Sequence, residues 1–255
     1  MQIIDIHTHI YPEKIALKAT DSVRDFYQIK GSGNMNGTVD LLRQRGREAG
    51  ISRFVVLPVS NAANRVHSIN TFILEQTQIH EDFIGFGTVH AEMDGLCDEV
   101  DWIMDHGLRG IKMHPDSQRF HIDDERLFPM YEALRGRAPV LLHMGDHRYD
   151  YSHPIKLRKI LDMFPGLDAI AAHFGGYSMW DEAVEALAGL PNLYVDCSSS
   201  MPFLTDEKTK EYIRRFGCDR VLFGSDYPMW TAEREIPRLL SLGLTDEAYR
   251  KIFSE

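Results

Sequence analysis

The chain is poor in cysteine. Cys97, Cys197 and Cys218 are odd in number, widely spaced and without a CxxC pair. That excludes a disulfide framework and a cysteine zinc site, and fits thiols kept reduced. Positive charge is also scarce. Lys and Arg number 28 against 38 Asp and Glu, a net charge of −10, and no basic run occurs. A nucleic-acid partner is therefore not expected. No apolar stretch is long enough to span a bilayer, and no charged-then-apolar leader precedes the first strand-like run. These absences predict a cytoplasmic protein with neither a membrane nor a nucleic-acid partner. A homo-oligomer is compatible with the composition. A Gly-rich phosphate turn after the first strand-like run is missing too, which argues against an open dinucleotide-binding sheet.

What is present is a regular alternation. Short apolar runs lie at 2–7, 53–58, 83–89, 108–113, 139–144, 168–173, 192–197 and 220–225. Their length and their β-branched and aromatic content predict strands. Amphipathic stretches at 38–50, 67–80, 95–107, 124–136, 154–164, 181–190, 206–217 and 235–243 predict helices. In the third of these, Leu96, Val100, Ile103 and Met104 recur at helical spacing. Strict β–α alternation implies parallel strands joined by right-handed crossovers. Eight units in 255 residues predict an α/β fold, a (β/α)8 TIM barrel, as a single domain over 1–255. An irregular loop insertion at the barrel mouth is expected at about 10–37, where "KGSGNMNG" is rich in glycine and polar residues.

Chemistry-bearing residues collect at the C-terminal ends of the predicted strands. His7 and His9 end the first, Lys112 and His114 the fourth, His143 the fifth, His173 the sixth and Asp226 the last. In a barrel these ends meet at one mouth. Alternate residues of a strand share a face, so the HxH pair can present two imidazoles to one ion. Zinc takes imidazole nitrogen and carboxylate oxygen at about 2.0–2.2 Å. His7, His9, His143 and Asp226 would make such a set. Asp5, on the same face as His7 by alternation, is placed to orient a ligand histidine or to satisfy barrel backbone. Arg119 and Arg148, in loops after strands four and five, are positioned to clamp a substrate carboxylate. Trp180 and Trp230 are positioned to wall an apolar pocket. His114, two residues after Lys112, is placed for a substrate contact or for a structural hydrogen bond.

The pieces "DIHTH", "GIKMHP", "LLHMG", "AAHFGG" and "FGSDYP", in that order over 5–228, resemble the amidohydrolase superfamily. The resemblance is to its amidohydrolase-2 branch, with the aminocarboxymuconate-semialdehyde decarboxylase relatives. It implies that His7, His9, His143 and Asp226 hold a divalent metal, zinc, and that His173 stands beside the reacting groups. Asp226 would also take the proton of the attacking water. Lys112 has two readings: a carboxylated bridge between two ions, with His143 and His173 on the second, or an amine that binds the substrate's anionic group. The mononuclear branch favours one ion and the second role. The resemblance also implies an Asn-containing helical segment after "YRKIFSE", where this sequence stops. The activity expected is metal-dependent hydrolysis of an amide, lactone or related small molecule, carboxylate-bearing if an arginine clamp is used. The alternatives are non-oxidative decarboxylation of an aromatic or muconate-type acid, or a metal-bearing barrel that binds a ligand without catalysis.

Overall fold

The computed structural model describes residues 2–29 and 36–254. The chain opens with β1 (Ile4–Thr8), α1 (Glu13–Tyr27), α2 (Val39–Glu48), β2 (Arg53–Val56) and α3 (Val66–Ile79). The third run is split at Phe86 into β3 (Phe83–Gly85) and β4 (Gly87–Thr88), followed by α4 (Leu96–Asp105). Next come β5 (Ile111–Met113), α5 (Pro115–Gln118), α6 (Phe128–Leu134), β6 (Val140–Leu142) and α7 (Pro154–Met163). The remainder is β7 (Ala169–Ala171), α8 (Trp180–Leu187), β8 (Leu193–Asp196), α9 (Asp206–Phe216), β9 (Val221–Leu222), α10 (Ala232–Leu240) and α11 (Asp246–Ser254). Each expected strand is present, and all paired neighbours are parallel.

Hydrogen bonds run in the order β1-β2-β3 and β4-β5-β6-β7-β8-β9. Phe86, between β3 and β4, keeps the ladder going by donating its N–H to Val56 O at 3.1 Å. The ring closes between the last strand and the first. Ile6 N donates to Phe223 O at 2.9 Å, Asp226 N to His7 O at 2.8 Å and His9 N to Tyr227 O at 2.8 Å. The result is a closed eight-position TIM barrel. Val55, Leu57, Phe86, Leu141 and Ala172 form one small buried cluster. A much larger apolar layer includes the buried faces of the helices, such as Val100 and Ile103 of α4.

Two expectations change. The segment 10–37 is not an irregular loop throughout, because α1 occupies Glu13–Tyr27. Its buried residues are Ala16 and Thr20, one helical turn apart but too small and polar to read as an apolar stripe. Residues 30–35 of "KGSGNMNG" lie outside the described residues. The chain also ends in a helix not read from the pattern. α11 covers the β9 end of the barrel, with Phe223 N donating to Ile252 O at 2.9 Å and Phe253 packed on Phe223.

Helix-to-strand contact is closest where a glycine allows it. A Cβ at Gly46 of α2 would lie 2.3 Å from the Phe54 ring of β2. In an exposed helix, Gly→Ala gains about 1 kcal/mol. At Gly46 overpacking reverses the sign, and G46A is expected to cost about 1–3 kcal/mol. A chemical-denaturation midpoint at or above that of the unaltered protein would contradict this packing.

Candidate metal and substrate site

The site begins with an irregularity. The register of β1 on β2 slips between Asp5 and Thr8. At the slip, one oxygen of Asp5 accepts the backbone N–H of His7 at 3.2 Å and of Ser225 at 2.9 Å. Asp5 thus serves the backbone at the barrel seam and does not orient an imidazole. Burial pushes its carboxyl up to about 7, with the bonds from Ser225 and His7 opposing that rise.

The residue that orients His7 is Asp196, at the end of β8. His7 Nδ1 lies 2.9 Å from Asp196 Oδ2, and both side chains are cut off from water. The other Asp196 oxygen accepts His173 N at 3.2 Å, Ser198 N at 3.0 Å and the Ser198 hydroxyl. Burial alone would raise the Asp196 carboxyl, but His7 beside it and these donors bring it down to about 2. The carboxylate is therefore ionised, and His7 carries its proton on Nδ1. His7 Nε2 is left as a lone pair facing the mouth.

Two groups face that lone pair, and His9 meets one of them. Lys112 Nζ is 3.2 Å away, Asp226 Oδ1 is 3.5 Å away, and His9 Nε2 is 3.4 Å from the same Asp226 oxygen. His9 is aimed by Nδ1–H donation to Leu57 O at 2.7 Å. Asp226 is steadied by the Ser199 hydroxyl, to which Trp230 Nε1 also donates at 3.0 Å. Burial would raise the Asp226 carboxyl, but His7, His9 and His173 hold it well below the usual carboxylate range. Lys112 is buried, which pulls its amine down to about 8 against the opposing pull of Asp196 and Asp226.

Donor atoms of His7, His9 and Asp226 lie within 4.8 Å of one another. Two imidazoles and a carboxylate suit a divalent cation of the zinc or manganese kind. His143, expected as a fourth donor, stands on the adjoining wall. Its Nδ1 is 2.9 Å from His173 Nε2, and its ring stacks on His114 at 3.9 Å. His173 is itself kept neutral, with burial lowering it to about 4.

Backbone strain marks the same place. His173, Ser199 and Asp226 have φ of 62°, 47° and 60°. Non-glycine residues in that region cost of order 1–3 kcal/mol each and gather at functional sites.

Around the donors the mouth is aromatic. Tyr27, Ile29, Tyr177, Phe203, Met229 and Trp230 line a cavity with His143, His173 and Asp226. Trp180 packs on Phe203 and donates to Ser200 Oγ at 3.1 Å. The structure brings His114 to this wall, its Nε2 2.6 Å from the Tyr27 hydroxyl. Arg148 is engaged elsewhere. It grips Asp146 through Nε and Nη2 and donates through Nη1 to Phe26 O at 2.7 Å. Arg119 is exposed at the C-terminal end of α5 and makes none of the contacts that bind the cluster together. Asp196, Ser199 and Tyr27 were not singled out from the sequence. Asp196 had a usable signal, since it ends a predicted strand as His143 and His173 do.

Replacing Asp196 by Asn puts an N–H donor within reach of His7 Nδ1–H and disfavours the tautomer that frees Nε2. D196N is expected to weaken divalent-metal binding about 10–100-fold. Calorimetric titration with manganese tests this, with far-UV circular dichroism as the control for folding. Unchanged affinity would remove the role assigned to Asp196.

Several solved structures share the fold. An uncharacterized TIM-barrel protein from Bordetella bronchiseptica is similar at 20% identity and TM-score 0.77, covering 100% of this chain and 96% of that one. Dihydroxybenzoic acid decarboxylase from Polaromonas sp. JS666, with bound manganese and the inhibitor 2-nitroresorcinol, is similar at 16% identity and TM-score 0.75, covering 99% and 94%. A putative 2-pyrone-4,6-dicarboxylic acid hydrolase from Pseudomonas putida is similar at 16% identity and TM-score 0.68, again covering 99% and 94%. No curated protein sequence matches the chain. The sequence profile of the Amidohydrolase family matches residues 4–255, and on that match the protein belongs to this family.

Proposed function

We propose that the protein is a metal-dependent hydrolase acting on an amide, lactone or related small molecule that carries a carboxylate. The observation that carries this reading is the convergence of His7, His9 and Asp226 in the barrel mouth. These three would hold one divalent cation, with His143 the candidate for a fourth position. Manganese suits the mixed nitrogen and oxygen set as zinc does. When bound, the cation supplies Lewis acidity, polarising an oxygen and making water more acidic.

The chain's own groups do the rest. Asp226 is ionised, so it accepts the proton of an attacking water and is ill-suited to donate one. A weak base is enough where the water is already acidified. Ser199 holds one Asp226 oxygen, leaving Oδ1 toward His7 and His9. The Lys112 amine stays uncarboxylated, donates to His7 Nε2 in the resting site, and turns to the substrate's carboxylate. Two further contacts belong to this reading, His114 on the wall and the Trp180 and Trp230 rings at the rim.

A second reading, non-oxidative decarboxylation of an aromatic acid, is favoured by the aromatic rim. The decarboxylase among the similar structures is consistent with it. Manganese-loaded protein supplied with 2-pyrone-4,6-dicarboxylate or 2,6-dihydroxybenzoate separates the two. Hydrolysis is expected to acidify the medium without carbon dioxide release and to stop on EDTA treatment. D226N is expected to slow it about 10²–10⁴-fold. Carbon dioxide release would establish the second reading. Full metal loading without turnover across hydrolytic and decarboxylation panels would support the barrel that only binds.

A further inference from the structure

The wall opposite His7 carries two short hydrogen-bond chains, each with its direction fixed at one end. At the start of α5, Ser117 N–H is shared between His114 O at 3.1 Å and His114 Nδ1 at 3.3 Å. A ring nitrogen that accepts bears no proton, so the His114 proton is on Nε2. That N–H can only donate to the Tyr27 hydroxyl oxygen, 2.6 Å away. In the other chain, His173 Nδ1 lies 3.0 Å from Ser198 O, which can only accept. Ser198 Oγ, also 3.0 Å from that nitrogen, has already given its hydrogen to Asp196. His173 therefore carries its proton on Nδ1 and accepts at Nε2. His143 Nδ1, 2.9 Å from it, is the donor. That leaves His143 Nε2 with a lone pair, but the Tyr27 hydroxyl, 3.2 Å from Nε2 and 3.3 Å from Nδ1, lies off the in-plane direction of that lone pair and does not donate to it.

Tyr27 thus receives one hydrogen bond and has one hydrogen to give, within the cavity that Asp226 lines. The cavity has a volume of about 10 Å³, room for about one water. A substrate of carboxylate size has to displace contacts on its wall, and no His143 lone pair is aligned to hold the Tyr27 hydroxyl hydrogen. The end of α1 is held in place while this happens. Arg148 donates to Phe26 O at 2.7 Å and lies over the Phe26 and Tyr27 rings at 5.0 and 5.5 Å. His114, Asp116 and His143 are close enough to suggest a second cation site. The His114 and His143 rings, however, are parallel to within 8°, so their in-plane lone pairs do not converge on one ion, and His114 Nε2 is protonated.

We propose that Tyr27 is a substrate-contacting residue whose hydroxyl, held as an acceptor by His114, donates its hydrogen to an anionic oxygen of the substrate. The proposal rests on the carboxylate-bearing substrate argued under Proposed function. Two measurements test it separately. Long-range ¹⁵N–¹H spectra of histidine-labelled protein without substrate are expected to show His114 protonated at Nε2, and His143 and His173 at Nδ1. In Y27F the His114 nitrogens are expected to shift and those of His7 to stay. Manganese-loaded Y27F is then expected to bind 2,6-dihydroxybenzoate roughly 10- to 100-fold more weakly than the unaltered protein, the worth of a hydrogen bond to a charged group. Its far-UV circular dichroism and thermal unfolding should match those of the unaltered protein, which a general loss of packing would not leave intact. A His114 proton on Nδ1, or equal affinity of both proteins for the benzoate, overturns the proposal. Failure of the unaltered protein to bind the benzoate overturns the carboxylate reading, and the nitrogen shifts then decide the hydrogen-bond order alone.

Discussion

A buried ionised carboxylate is expensive unless every lone pair is met by a donor. Asp196 satisfies that condition with two backbone N–H groups, one hydroxyl and one imidazole. The rest of the site depends on this bond set. It settles which nitrogen of His7 is free, and it ties the turn after β7 to the end of β8. It also fixes the Ser198 hydroxyl hydrogen, which in turn settles the proton on His173. A single acid thus orders two imidazoles that stack 5.1 Å apart, and through His173 it reaches His143.

The barrel was legible in the sequence because each strand is a short apolar run, and most of these runs are closed off by a polar, chemistry-bearing residue. His7, His9, His173 and Asp226 could be read as neighbours for that reason alone, since barrel geometry brings strand ends together. Three features were not legible, each for a local cause. The role of Asp5 depends on a register slip in β1, and alternation assumes there is none. Tyr27 belongs to a helix with hardly any apolar stripe, in a stretch whose glycines read as loop. Arg148 had the right position for an anion clamp, but Asp146 two residues earlier already occupies its guanidinium.

Family membership and the shared barrel constrain the chemistry without choosing it. Related barrels at 16% identity carry the names of a decarboxylase and of a hydrolase. In this chain the acid nearest the donors is ionised, and the protons sit on the wall formed by His114, Tyr27 and His143. The site thus has an acceptor side and a donor side.

The seam between β9 and β1 has a consequence for how the protein is made. Asp5 and Ser225, joined there by a hydrogen bond, are 220 residues apart in sequence. His7 and His9 therefore leave the ribosome long before Asp226 exists to complete their set. Until then the nascent chain carries these two imidazoles without the carboxylate that stands beside them in the barrel. The three donors meet only when the ring closes between its first and last strands, and a product cut before β9 would be deprived of the seam and of Asp226 together.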